Sequence, residues 1–200
     1  MRVENNILHP DDDGEDIRFE GTPNHSGAVL PVFLVMHYTA GTSLDGAVSW
    51  LKNPEAKASA HLVIDRSGRM VQMVELNKCA WHAGQSDWGN IKGLNRYSIG
   101  IELVNAGKLQ RRGDGKWVNW ANTVIPDEEV SEAKHESASA GWHLFPEPQR
   151  NAAIRVAQCL NSIHSYQDIL GHDDIAPKRN TDPGPLFPLN SFRSQVLGRE

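Results

Sequence analysis

Apolar positions along the chain keep two rhythms, and their alternation sketches a mixed fold. Val32-Phe33-Leu34-Val35-Met36 is a short continuous apolar run with β-branched members, the pattern of a strand covered on both faces. It opens into His37-Tyr38-Thr39-Ala40-Gly41. Leu44, Ala47, Val48 and Leu51 then recur at helical spacing behind Thr42 or Ser43 as cap, and Pro54 stops that helix. Residues 60–65 read as a strand, Arg66-Ser67-Gly68-Arg69 as a turn, and residues 70–74 as the returning arm of a hairpin. Over residues 98–104, Ile99, Ile101 and Leu103 share one face while Gly100, Glu102 and Val104 share the other. Glu102 therefore points away from the isoleucines. The clearest helix starts near Pro148, whose fixed φ suits a first turn, and runs to about Ser165. Ala153, Val156, Ala157, Leu160 and Ile163 form its stripe. Asp168-Ile169-Leu170-Gly171-His172 reads as a short strand entering a long loop, and residues 191–197 as a terminal helix.

Two stretches lack either rhythm. Residues 1–28 are polar, rich in Asp, Asn and Gly, and are expected as an N-terminal arm laid over the domain. Residues 105–147 mix Gly, Trp, Pro and charge, which marks an irregular insertion or a mobile loop. The expectation is a single α/β domain over residues 29–200, a mixed central β-sheet flanked by helices. Two hundred residues bury one sizeable core and are short for two.

Composition narrows the partners more than the fold. Hydrophobic residues make up 39% and charged residues 22%, an ordinary globular balance. A formal net charge of −5 leaves no cationic excess for a nucleic-acid backbone or an anionic membrane surface. No apolar run approaches bilayer length, and the N-terminus lacks the apolar stretch of a signal peptide. A cytoplasmic location is therefore expected, with phage-type export through a holin as a variant. Cys79 and Cys159 do not make a disulfide framework and are expected as buried thiols.

Among nine histidines, His37 and His172 each stand where an apolar strand opens into a glycine- or proline-containing loop. Asp182 follows His172 by ten residues in a proline-stiffened loop. Two imidazoles and a carboxylate suffice for a catalytic zinc that keeps one position for water. The bland alternative is a pair of core histidines and a turn-capping aspartate. Glu102, on the face away from the isoleucines, is either a surface glutamate or a general base aimed into a site.

The motifs His37-Tyr38-Thr39-Ala40-Gly41, Ser59-Ala60-His61-Leu62-Val63-Ile64, Ala80-Trp81-His82-Ala83-Gly84, Ser98-Ile99-Gly100-Ile101-Glu102, Gly171-His172-Asp173-Asp174-Ile175-Ala176-Pro177 and Thr181-Asp182-Pro183-Gly184-Pro185 occur in that order. Together, over roughly residues 30–190, they resemble the type-2 N-acetylmuramoyl-L-alanine amidases, a family that includes cytosolic wall-recycling amidases, phage endolysins and peptidoglycan-recognition proteins. The resemblance implies a peptidoglycan-recognition-protein-like fold and one Zn2+ held by His37, His172 and Asp182. It also implies Glu102 as the catalytic acid–base, and peptidoglycan fragments or murein as substrate. Recycling members carry a lysine two residues before the third ligand. Here Asn180 stands there, with Lys178 and Arg179 upstream, so Asn180 or Arg179 is expected to assist the oxyanion. His82 and Trp81 are expected at the cleft, with Trp81 either stacking on a sugar or packing locally. His61 either lines the cleft or is a satisfied core imidazole. A non-catalytic peptidoglycan-binding module of the same fold is the rival reading.

Overall fold

A strand with apolar side chains on both faces needs cover above and below, and the computed structural model provides it for Phe33–Tyr38. The structure describes residues 1–11, 15–132 and 140–199. Along the chain, Ile17–Phe19 (β1), Phe33–Tyr38 (β2), Leu62–Ile64 (β3), Met70–Gln72 (β4) and Ser98–Leu103 (β5) precede Lys108–Arg111 (β6), Trp117–Val118 (β7), Val124–Ile125 (β8), Val130–Glu132 (β9) and Ala140–His143 (β10). Asp168–Gly171 (β11) follows them. The helices are Leu44–Lys52 (α1), Glu147–His164 (α2), the single turn His172–Ile175 (α3) and Leu189–Leu197 (α4).

Among the described residues, the central sheet has six strands in the order β11-β2-β5-β3-β4-β1. β11, β2, β5 and β3 run parallel. The expected hairpin brings β4 back antiparallel to β3, and β1 is parallel to β4. The parallel strands place their carboxyl ends along one edge of the sheet, where ligands of open α/β sheets bind.

The period-two pattern decides which face meets which helix. Leu34 and Met36 of β2, Ile99, Ile101 and Leu103 of β5, and Ile169 of β11 pack with α2 and α4 in the main core. Burying each such side chain contributes roughly 1.5–3 kcal/mol. The opposite face is split. Val63 and Val71 pack under Leu44, Val48 and Leu51 of α1, whereas Phe33, Val35 and Leu170 pack with Ala83, Leu94 and Ile175. His37 and Glu102 lie on this second face; Glu102 pairs across to His37 on one side and to Val63 on the other.

Several expectations are refined. Ser43 is the cap of α1, its hydroxyl accepting from the Gly46 N–H at 3.1 Å. In α2, Ile163 is 50% exposed, whereas Val156 and Leu160 of the same expected stripe are fully buried. Gln149 is buried in its place near the helix start, its amide donating to the Ile64 and Val104 carbonyls. The stretch expected as irregular between 105 and 147 contains a second, antiparallel sheet in the order β8-β7-β6-β10-β9. Its strands are two to four residues long, too short to imprint a period on the sequence. Ala106, Leu109, Trp117 and Ile125 give it a small core of its own. The segment expected as an arm supplies the edge strand β1 and a second strand, His25–Ala28, that pairs with Lys78–Ala80. Leu8 is fixed there by its N–H donating to Gln72 Oε1 at 2.7 Å.

Candidate metal centre

Three side chains converge at the carboxyl edge of the sheet. His37 comes from the end of β2, His172 opens α3 directly after β11, and Asp182 lies in the following loop. That loop is tied back by the Asp173 N–H donating to the Asp182 carbonyl at 2.8 Å. His37 Nδ1 lies 2.9 Å from Asp182 Oδ2 and 3.0 Å from His172 Nδ1, and His172 Nδ1 lies 3.0 Å from Asp182 Oδ2. Three electron-pair donors thus form a nearly equilateral triangle, a geometry that suits a cation. Ligand atoms around a tetrahedral zinc with bonds near 2.0 Å are ~3.3 Å apart, so the triangle fits one after a small outward shift. The protonation states fit as well. Burial lowers the His37 pKa and favours the neutral ring. Burial pushes Asp182 upward, but its contacts with the His172 and His37 rings outweigh it and hold the carboxyl well below its usual range. Neutral imidazole and carboxylate are the forms that bind metal.

Glu102 stands beside this triangle. The parallel register pairs it with His37, so both side chains leave the sheet on the same face. Its Oε2 is buried without a hydrogen-bond partner. Burial, and then the charge of Asp182, raises its pKa to about 8. A groove of about 460 Å³ opens from Glu102, lined by Tyr38, Thr39, Ala40, Trp50 and Trp120 among others. Trp120 is 78% exposed, yet its indole N–H donates to the Ala40 carbonyl at 2.9 Å, which fixes how the ring is presented.

The sequence model of a family described as N-acetylmuramoyl-L-alanine amidase matches residues 28–185, which include all four of these side chains. The chain belongs to the type-2 N-acetylmuramoyl-L-alanine amidase family. It is 31% identical over 172 residues to the N-acetylmuramoyl-L-alanine amidase AmiD of Escherichia coli, covering 82% of this chain and 53% of AmiD. It is 33% identical over 144 residues to the 1,6-anhydro-N-acetylmuramyl-L-alanine amidase AmpD of the same organism, covering 70% of this chain and 59% of AmpD. The chain thus spans a little over half the length of these two relatives. A solved complex of E. coli AmiD with the substrate anhydro-N-acetylmuramic acid-L-Ala-D-gamma-Glu-L-Lys superposes with a TM-score of 0.62 at 28% identity, over 88% of this chain and 58% of that one.

The remaining residues singled out by the amidase motifs take several positions. His61 is fully buried, with Nε2 at 2.9 Å from the Lys78 carbonyl and Nδ1 accepting the Gly100 N–H at 3.0 Å. Both ring nitrogens serve the core, and neither is left for a ligand. Trp81 packs locally, its indole N–H reaching the Ser26 hydroxyl at 3.3 Å. Arg179 turns onto the loop that carries Ala83, donating to the Ala83 and Gln85 carbonyls at 3.0 and 2.8 Å. Asn180 Nδ2 lies 2.7 Å from His172 Nε2, and the Ala83 carbonyl lies 3.4 Å from the same nitrogen. If Nδ1 of His172 faces the metal, Nε2 carries the proton; the Ala83 carbonyl can accept it, and the Asn180 amide can too once turned over to present its oxygen. Asn180 then orients a ligand ring. His82 does not open to solvent; it lies behind His37, with Nδ1 3.0 Å from His37 Nε2.

Sequence reasoning passed over Trp50, Trp120, Asn95 and Ser98. Asn95 Oδ1 accepts from the N–H groups of both His82 and Ala83 and sets that turn. Gly100 carried a readable signal, since a glycine inside a strand marks a close approach. A Cβ there would lie 2.4 Å from His82 Cγ.

Proposed function

We propose that this chain is a zinc-dependent N-acetylmuramoyl-L-alanine amidase. It hydrolyses the amide between the muramic acid lactyl group and L-alanine, with soluble anhydro-muropeptides as its preferred substrates. The observation that carries this reading is one site holding both a three-donor cluster and, on the adjacent strand, a carboxylate with an unpartnered oxygen. The substrate class is supported by the ligand named in the AmiD complex and by the anhydro-muramyl activity in the name of AmpD.

His37, His172 and Asp182 would hold the zinc, which would supply Lewis-acid polarisation of the scissile carbonyl and lower the pKa of a water. Glu102 takes a proton from the attacking water and returns it to the departing L-alanine nitrogen. A carboxyl poised near neutral pH can do both. Asn180 holds the His172 ring, and the Tyr38 hydroxyl pairs with Thr181 at 2.8 Å beside the third ligand. Among the described residues the groove beyond Glu102 has no other charged group in its lining, and its two exposed indoles suit the apolar face of the neutral muramoyl ring rather than the anionic peptide stem. A cytoplasmic site of action accords with Cys79 and Cys159 as free thiols.

Zinc analysis of the purified protein, paired with muropeptide digestion before and after chelation, tests the proposal. One equivalent of zinc with chelator-sensitive release of peptides bearing a free L-alanine N-terminus is expected. Stoichiometric zinc without cleavage of anhydro-muropeptide or murein would favour the non-catalytic module, and a protein without zinc affinity would refute the metal assignment.

A further inference from the structure

A carboxylate that binds a metal is usually oriented by hydrogen bonds from a surrounding shell. Among the described residues, the Asp182 carboxylate is hydrogen-bonded only to the rings of His37 and His172, the other two members of the donor set. Its placement therefore rests on the backbone of its loop, and that backbone is held from three sides. Toward β11, the Asp173 N–H donates to the Asp182 carbonyl, and Pro183 lies against Gly171, where a Cβ would be 2.8 Å from Pro183 Cδ. Toward β2, the Tyr38 hydroxyl pairs with Thr181 Oγ1 at 2.8 Å. On the third side the six-membered ring of Trp142 covers Gly184, where a Cβ would be 2.5 Å from Cζ3.

Two of these holds lead to the small antiparallel sheet. Trp142 belongs to β10 and is 3% exposed. Its neighbour Gly141 faces the small core of that sheet, since a Cβ there would meet Val130 and Trp117. The pleat then turns Trp142 to the opposite face, toward the Asp182 loop. Its cross-strand partner on β6 is Lys108, whose ammonium lies 5.5 Å from the centroid of the Trp142 ring. The Tyr38 ring packs on Gly107, just before β6, where a Cβ would be 2.3 Å from Tyr38 Cε2. Gly107 and Gly184 have φ of +70° and +76°, so each needs glycine both for its backbone and for the aromatic ring laid on it.

We propose that the small sheet is a brace for the third metal ligand, with Trp142 a positioning residue that acts on Asp182 through Gly184. Tyr38, seated on Gly107, holds the same loop at Thr181. The sheet thus does for Asp182 what hydrogen bonds do for most metal-binding carboxylates. This inference rests on the metal reading given above, but the hold on the loop belongs to the metal-free protein as well.

The test is a double-mutant cycle on the full chain, read as zinc dissociation constants from competition with a chromophoric chelator. Trp142→Leu should raise the constant about 10–100-fold. Beside Asp182→Ala the same change should add little, because the ligand that Trp142 serves is gone. A Trp142→Leu protein that binds zinc like the parent overturns the brace. So does an effect that repeats in full beside Asp182→Ala, since Trp142 would then act through the histidines or the fold at large. Amide hydrogen exchange of the metal-free protein is the second readout. The amides of Asp173 and Phe187 donate to the carbonyls of Asp182 and Gly184, and they should exchange faster in Trp142→Leu while those of β2 keep their rates. Unchanged exchange at Asp173 and Phe187 also overturns the brace. If Trp142→Leu does not fold, Trp142→Phe takes its place in both readouts, with smaller shifts of the same sign expected and their absence refuting. A parent that binds no zinc refutes the metal assignment alone, and the exchange rates still judge the brace.

Discussion

Glutamine in place of Glu102 should stabilise the metal-free protein at high pH while abolishing turnover. Oε2 of Glu102 is enclosed without a partner, and burial followed by the Asp182 charge raises the pKa from 4.5 to about 8. The sign follows from proton binding. Between these two values the unfolded chain has released a proton that the folded chain keeps, so stability falls as pH rises. Above about 8 both states are ionised and the loss is constant. At about 1.4 kcal/mol per pH unit, the interval sets an upper limit of roughly 5 kcal/mol. The side chain is only partly buried and borders the groove, so screening should reduce this to about 1–3 kcal/mol. Glutamine has nearly the same shape and no charge to desolvate. Urea unfolding of parent and Glu102→Gln, with chelator present, should give similar stabilities at pH 4.5 and a margin in favour of glutamine that grows to pH 9. Adding zinc should narrow that margin, since a nearby cation favours the ionised carboxylate. Turnover should fall about 10²–10⁴-fold with zinc still bound. A margin independent of pH would refute the desolvation argument, and undiminished turnover would remove Glu102 from the chemistry.

Two further substitutions probe the surroundings. Gly100→Ala puts a methyl group 2.4 Å from His82 Cγ and should cost about 1–3 kcal/mol in urea unfolding while weakening zinc binding; an unperturbed protein would mean that the ring moves freely. Trp120→Ala removes a fixed but exposed indole and should change stability by no more than about 0.5 kcal/mol. It should raise KM for a muropeptide several-fold with kcat nearly kept, and an unchanged KM would take the saccharide out of that groove.

Much of the framework was legible because period and length agreed. The alternation of Ile99, Ile101 and Leu103 with Gly100 and Glu102 gave both the core face of β5 and the direction of Glu102, and the structure has the same split. The hairpin of β3 and β4 was readable from its turn. The five strands described between Lys108 and His143 were not, since strands of two to four residues carry too few alternations. His37 and Asp182 are 145 residues apart, and no local pattern predicts their meeting; only the resemblance of ordered motifs did. The same motifs misplaced His82 at the cleft. A Trp-His-Ala-Gly loop looks open to substrate in one dimension, and only the packing of its ring on Gly100 turns it inward.

The sheet also explains why these side chains belong together. β11, β2 and β5 are adjacent and parallel, and the functional residues leave at or just past their carboxyl ends: His172 after β11, His37 from β2 and Glu102 from β5. Strand register therefore sets the distance between general base and metal, because Glu102 and His37 are direct cross-strand partners. A slip of one residue would present Met36 or Ile101 in their place and turn the ligand into the core. The apolar residues between the functional ones exclude that slip. Leu34, Met36, Ile99 and Ile101 fit only against α2 and α4, so the burial that stabilises the sheet also fixes where its polar groups emerge. Core substitutions that keep this register should lower stability with little change in chemistry, whereas a change at Gly100 acts on the His82 ring behind His37 without touching a metal ligand.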